Sequence, residues 1–215
     1  MAADPERYEL HHQDETHAET NPYVSRVWHR RGQQPTIPAA GTNRRVTVFG
    51  SVEVFGRGRV EVVCAGQDSA CFVRYLQALE ERHRTTGRQV YLVLDNGPAH
   101  TSKVSTAALA QRAAWLHVIW LPRYSPEFND KEREWRWLKR DHRSHLARDL
   151  RTFVDELLAG LRRLGGELVT VVDAVPQWFL DGHRRPPTGR PPGRPKGAKD
   201  SRPRAPRRSN LPAPT

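Results

Sequence analysis

Three acidic residues have types and positions that could do chemistry: Asp14, Asp95 and Glu132. Asp95 directly follows the apolar run Val90–Leu94 and precedes Asn96-Gly97-Pro98. An acidic side chain at the carboxyl end of a buried strand lies at the open edge of a sheet, where α/β proteins place ligands. It could equally be a turn Asp capping Asn-Gly. Asp14 ends a short alternating stretch in His12-Gln13-Asp14-Glu15 and, read alone, belongs to a surface turn. Glu132, read alone, is one charge on a solvated helix face with i,i+4 partners. Taken together, the three suggest a different chemistry. Clustered carboxylates repel one another unless a cation lies between them. Donors that are all oxygen favour Mg²⁺ or Mn²⁺. Two such ions about 3.5–4 Å apart can activate a water or a 3′-hydroxyl and stabilise the leaving oxygen of a phosphodiester.

The elements that must position these residues follow from periodicity. Tyr8–Gln13 alternates as a strand with Asp14 at its end. A connection punctuated by Gly, Pro and Asn follows from Asn21 to Asn43, with Val24–Trp28 as a strand candidate inside it. Arg45–Phe55 alternates and is rich in β-branched residues, Gly56-Arg57-Gly58 is a turn, and Val60–Cys64 completes a hairpin. Asp68–His83 has helical spacing through Cys71, Tyr75, Leu76 and Leu79. Val90–Leu94 is a continuous apolar run suited to a strand buried on both faces. Thr101–Trp115 reads as a helix capped by Thr101 or Ser102, and Val118–Leu121 as a strand. Phe128–Asp141 and Leu146–Leu164 read as helices, the second stopped by Gly165-Gly166. Antiparallel strands come first and strand–helix alternation follows. That order predicts the α/β class, a ribonuclease H-like mixed sheet flanked by helices. In such a sheet the ends of the first and fourth strands lie side by side and a later helix faces them, which would gather Asp14, Asp95 and Glu132.

Charge separates this core from a tail. The 215 residues carry 35 Lys+Arg against 24 Asp+Glu, a formal +11. Residues 184–215 hold eight arginines, two lysines and one aspartate, a net +9, together with nine of the 17 prolines. Only +2 is left for residues 1–183. The division is therefore a folded domain over 1–183 and a basic, Pro/Arg-rich tail over 184–215. The tail has too little apolar bulk to offset its ordering entropy and is expected to be disordered. Thr188-Gly189-Arg190-Pro191 and Gly193-Arg194-Pro195-Lys196-Gly197 resemble AT-hooks, which lay arginines such as Arg190 and Arg194 along a narrow minor groove. The plainer reading is a polybasic tail drawn to any phosphate backbone. No apolar run reaches the length of a transmembrane helix, and no secretory signal opens the chain. Cys64 and Cys71 make neither a disulfide scaffold nor a cysteine zinc site, so the cytoplasm is the expected compartment.

Two stretches carry a family resemblance. Leu94–Ser102 (LDNGPAHTS) and Leu121–Arg140 (LPRYSPEFNDKEREWRWLKR) resemble the DDE transposases of bacterial insertion sequences in the mariner superfamily. Gln13–Glu15 (QDE), Trp28 and Arg31–Pro35 fit the same group, so the likeness runs over roughly residues 8–165. The resemblance implies that Asp14, Asp95 and Glu132 are the catalytic triad and bind two Mg²⁺, with Mn²⁺ as the substitute. It also implies cleavage of DNA at transposon ends and transfer of the freed 3′-hydroxyl to target DNA, by a nucleoid-associated bacterial protein. His100 matches a recurrent histidine that either orients a phosphate or water or makes a structural bond at a helix start. Tyr124, Ser125 and Pro126 match a loop that shapes the start of the last helix.

Three departures from the family pattern matter. The usual Pro-Ile before the glutamate is Asp130-Lys131 here, which would weaken helix packing and bring an amine near the metals. Glu127, Asp130 and Glu134 compete with Glu132 for the third position, which Glu132 holds by register with Asn129 and Trp135. The family's helix-turn-helix modules are not visible ahead of the first strand. That implies a fragment, half of a split reading frame or a decayed remnant, acting as a homodimer or with a separately encoded helix-turn-helix portion. The rival functions are an inactive remnant that only binds DNA or a transposase, and a ribonuclease H-like nuclease with another substrate.

Other residues are weighed more briefly. Arg133, Arg136, Lys139, Arg140 and Arg143 form either a phosphate-binding strip or a solvated face balanced by Glu134 and Asp141. His142 and His145 satisfy helix-end carbonyls or face DNA. Trp135 is expected in the core, and Trp137 is either exposed or stacked on DNA. His11, His12 and His17 have no familiar zinc-ligand spacing. A chain ending at His183 should bind duplex DNA more weakly and with a shallower slope of log affinity against log salt than the full chain. Identical slopes in a salt titration would remove the tail from DNA binding.

Overall fold

The computed structural model describes residues 4, 6–21, 28–33, 36, 43–122, 131–141, 149–165 and 169–182. The strand expected at Val24–Trp28, the loop Tyr124–Pro126 and the whole tail 184–215 with Arg190 and Arg194 lie outside these residues, apart from Trp28 itself. So do Glu127, Asp130, His142, Arg143 and His145.

Six strands form one mixed sheet in the order β5-β4-β1-β2-β3-β6. β1 (Tyr8–Glu19), β2 (Arg45–Glu53) and β3 (Arg59–Cys64) are successive antiparallel neighbours. β4 (Gln89–Leu94) lies parallel to β1, and β5 (Leu116–Trp120) parallel to β4. β6 (Val169–Asp173) lies parallel to β3. The hairpin expected between Arg45 and Cys64 is β2–β3. Its turn is held by Glu53, whose carboxylate accepts from the Phe55 and Gly56 N–H groups.

Alternation along the strands divides the core into two layers. On one face Phe49, Val60, Val62, Val90, Leu92 and Leu94 pack under α1 (Ser69–Thr86) and α3 (Lys103–Ala110). On the other, Val46, Val48 and Val63 pack under α4 (Lys131–Asp141) and α5 (Leu150–Gly165). Asp68 caps α1 by accepting from Cys71 N–H at 3.0 Å, and Gly87 ends it at φ 69°, a left-handed position suited to glycine. The helix buries Phe72, Tyr75, Leu76 and Leu79, each worth about 1.5–3 kcal/mol.

Three expectations are corrected. β1 does not stop at Gln13: the ladder with β2 runs from His11 to Glu19, so Asp14 is inside the strand and not on a turn. The helix read over Thr101–Trp115 is two, α2 (Pro98–Thr101) and α3, because Ser102 leaves the helical conformation to cap α3 through Ser105 N–H. β6 and α6 (Gln177–Leu180) were not expected; the β-branched run Val169–Val172 after Gly165-Gly166 is the signal that was passed over. The helix starts expected at Phe128 and Leu146 lie outside the described residues, which take up α4 at Lys131 and α5 at Leu150.

Glu9 ties β1 to α1. Arg82 donates to both its oxygens, at 2.8 and 2.9 Å, and His11 Nε2–H donates at 3.0 Å. His11 is buried and pushed below its ordinary value by that burial, so the neutral ring has Nδ1 free to accept from Ser51 Oγ–H. Burial by itself would raise Glu9, but the bonds from His11 and Arg82 pull it down to about 2 from 4.5. A lowered carboxylate stabilises the fold fully above its unfolded value and loses that contribution as pH falls through the folded one. The window is therefore pH 4.5 to about 2, and the amount roughly 3 kcal/mol. Glu9→Gln should flatten the loss of thermal midpoint across that window; an unaltered pH profile would place the acid-sensitive group elsewhere.

Candidate active site

The site forms where β1 passes the end of β4. His12 pairs with Val93 in the parallel ladder, so two further steps bring Asp14 abreast of Asp95. On its other side Asp14 pairs with Gly50, and Gly50 with Glu61. One row across four strands thus reads Asp95, Asp14, Gly50, Glu61. Successive side chains of a strand point to opposite faces. Glu9, His11 and Gln13 are buried beneath α1, and Asp14 belongs to the opposite set, toward α4.

Asp14 is partly buried, and its carboxyl is pushed up to about 7. Burial is the first cause, followed by the charges of Glu15, Glu132 and Asp95, while a backbone bond at Glu15 opposes them. Asp95 behaves oppositely. Its Oδ1 accepts from His100 Nδ1–H and from Gly97 N–H, both at 2.8 Å. The His100 bond and then the Gly97 N–H hold its carboxyl below the usual range against the effect of burial. Both bonds fall on Oδ1, and the side chain is still 57% exposed. The two readings of Asp95 therefore coexist: it makes the Asn-Gly turn bond, and it offers an exposed carboxylate at the sheet edge. Asn96 Nδ2–H donates to Leu121 O at 2.7 Å and ties this turn to the end of β5.

His100 is almost wholly buried, edge-on to Phe72 with ring centres 4.6 Å apart. Its Nε2 lies 2.6 Å from Glu15 Oε1, an ion pair that falls short of an aligned hydrogen bond. Burial would lower the ring, but its bond to Asp95, the close Glu15 carboxylate and the charges of both raise it to about 9. An imidazolium with a carboxylate at each nitrogen cannot reach a substrate. Of the two roles expected for His100 the structure therefore shows the structural one, and it adds Glu15 as a partner. Glu15 was quoted in the QDE stretch, but its role could not be read from sequence because the ring it meets comes from α2.

Glu132 is in the first turn of α4, exposed, with its charge felt at Asp14. Glu134 is committed elsewhere: it accepts from Arg59 at 2.7 Å and Lys131 at 2.9 Å. Lys131 finds partners that its expectation did not include. Its amine is buried, donates to Glu61 and Glu134, and lies 4.4 Å from the centre of the Trp135 ring. Trp135 is in the core as expected. Arg136 is exposed and Lys139 half-buried on the same helix; the side chains of Arg133, Trp137 and Arg140 lie outside the described residues. His11 bonds Glu9 and Ser51, and His17 bonds Thr47 Oγ1 at 3.1 Å. Among the described residues no three His, Cys, Asp or Glu side chains converge at metal-ligand spacing. Asp14 and Asp95 are neighbours in register, and Glu132 is within electrostatic reach of Asp14. Among the described residues no helix is long and apolar enough to cross a membrane.

Comparison with known proteins bears on the family and the fold. Residues 9–154 match the family described as DDE superfamily endonuclease. The fold is similar to that of the Mos1 transposase in its paired-end complex with the left transposon end, at 15% identity and a TM-score of 0.52 over 74% of this chain and 52% of that one. It is similar to the Mos1 strand transfer complex at 17% identity and a TM-score of 0.51, over 72% and 47% of the two chains. The Mos1 mariner paired-end complex with Mn gives 15% and 0.51, over 74% and 52%. The chain thus spans about half the length of these transposases. No curated protein matches it in sequence.

Removing the imidazolium should leave Glu15 buried without its cation. His100→Ala is expected to cost about 3 kcal/mol of unfolding free energy in urea. A loss below about 1 kcal/mol would mean that the Glu15 pair counts for no more than an exposed one.

Proposed function

The chain belongs to the DDE superfamily endonucleases, and we propose that it is the catalytic domain of a transposase that cuts DNA at transposon ends and joins the freed strand to target DNA. The observation that carries this reading is the parallel register that brings Asp14 abreast of Asp95 at the sheet edge, with the charges of Glu15, Glu132 and Asp95 all felt at Asp14. Such a concentration of like charge beside an exposed Asp95 fits a hard divalent cation, since donors that are all carboxylate suit Mg²⁺ or Mn²⁺.

Asp14, Asp95 and Glu132 would hold the metal, as two ions. The chemistry a divalent cation supplies at such a site is activation of a water or 3′-hydroxyl and stabilisation of the leaving oxygen. The chain's own residues prepare for this. His100 fixes one oxygen of Asp95 and neutralises Glu15, so that the negative charge left for a cation lies at Asp14, Asp95 and Glu132. Arg133, Arg136, Lys139 and Arg140 on α4, and Arg190 and Arg194 in the tail, would contact phosphates. The partners proposed are transposon-end and target DNA, with a second copy of the chain or a separately encoded helix-turn-helix portion, at the bacterial nucleoid. The rival reading, an inactive remnant, is not favoured, because the acidic residues and the His100 bridge that orders them are intact.

Asp95→Asn should abolish Mg²⁺-dependent cleavage of a DNA duplex carrying a transposon end, while circular dichroism and thermal midpoint stay near those of the parent. Undiminished cleavage by that variant would overturn the assignment.

A further inference from the structure

Glu132 and Glu134 share the first turn of α4, yet only Glu132 is left to serve the site. What separates them lies on the next strands. Gly50 is Asp14's neighbour in the row, and it carries no side chain. A Cβ there would collide first with Oε2 of Glu61 and then, at 2.5 Å, with Cη2 of Trp135, closer than real Cβ contacts come. The bare position is therefore a hollow that the Glu61 carboxylate and the indole fill together. Trp135 is one turn after Lys131, and the Lys131 amine covers the ring from 4.4 Å. That amine donates to Glu61, the next residue of the row, and at 2.9 Å to Glu134, which is itself bonded to Arg59 of β3 at 2.7 Å. Both Lys131 and Glu61 are buried.

We propose that Lys131 and Glu61, together with the hollow at Gly50, are positioning residues for the third carboxylate: they seat the first turn of α4 on β2 and β3 and so turn Glu132 toward Asp14. Lys131 and Glu134 face β3 as an i,i+3 pair. A residue between them on the helix faces away from that pair, so the contacts that hold Lys131 and Glu134 down set the rotation of Glu132. A buried ion pair suits this role, because a charge removed from water tolerates only the geometry that keeps its partner. An apolar contact would let the helix slide or roll. Lys131, which replaces the family's usual isoleucine, thus has its complement in Glu61.

The inference rests on reading Glu132 as a member of the triad. Its test is the affinity of the full 215-residue chain for Mn²⁺, measured by titration calorimetry on variants shown to be folded by circular dichroism. Lys131→Met should weaken Mn²⁺ binding by about 10-fold to 100-fold, the range seen when groups that orient a metal ligand are removed. Gly50→Ala should do the same by displacing the Glu61 carboxylate and the Trp135 ring, and serves if Lys131→Met does not fold. In a Glu132→Gln background either change should have almost no further effect, because both act through Glu132. Equal weakening in both backgrounds, or none in the parent, would overturn the positioning role. If Asp95→Asn and Glu132→Gln each leave Mn²⁺ affinity unchanged, the triad reading itself fails, an outcome distinct from failure of the seat alone.

Discussion

Like charge crowded at one strand crossing is the constraint on which the rest of the structure depends. Parallel pairing of β1 and β4 brings Asp14 abreast of Asp95, and Glu15 follows Asp14 directly. Three carboxylates there cannot all ionise at no cost. The fold answers with one buried cation, His100, which bridges Asp95 and Glu15 from the α1 side. Asp14 receives no share of that cation, and its carboxyl is pushed up to about 7. The residual charge is thereby concentrated on the α4 side of the sheet edge, where a divalent cation would meet it.

The two faces of the sheet divide the work. Under α1, Glu9 pairs with Arg82 and His11, His11 with Ser51, and His100 with Glu15. Buried charges need such partners. Under α4, Lys131, Glu61, Glu134 and Arg59 pair around the Trp135 ring, while Glu61 Oε2 and Arg59 Nε make no hydrogen bond among the described residues. Between the two sets lie Asp14, the half-exposed Asp95 and the exposed Glu132.

Much of this was legible in the chain. Val90–Leu94 followed by Asp95 announced a buried strand ending in an acid, and the β2–β3 hairpin was readable from alternation and its Gly-Arg-Gly turn. Readings failed where the deciding contact was distant or the segment short. β1 appeared to end at Gln13 because its second half, Asp14–Glu19, is polar; pairing with β2 is what keeps it extended. Ser102, one of the two expected caps, does cap α3, but the four-residue α2 before it is too short to leave a periodicity. Lys131 looked like a defect until β3 supplied Glu61.

By itself the sequence determined which residues could do chemistry, and in what order, because strand runs, turns and family motifs are patterns among near neighbours. It also placed most of the excess positive charge in residues 184–215 rather than in the domain. The partners of each charge were decided only by the tertiary structure. In the sequence Glu132 is set apart from Glu134 only by its register with Asn129 and Trp135, and His100 has no visible connection to Glu15. Their roles diverge because sheet register and the seating of α4 determine which carboxylate is neutralised by a buried cation and which is left to solvent. In a low-dielectric interior, that pairing sets the chemistry a carboxylate can perform.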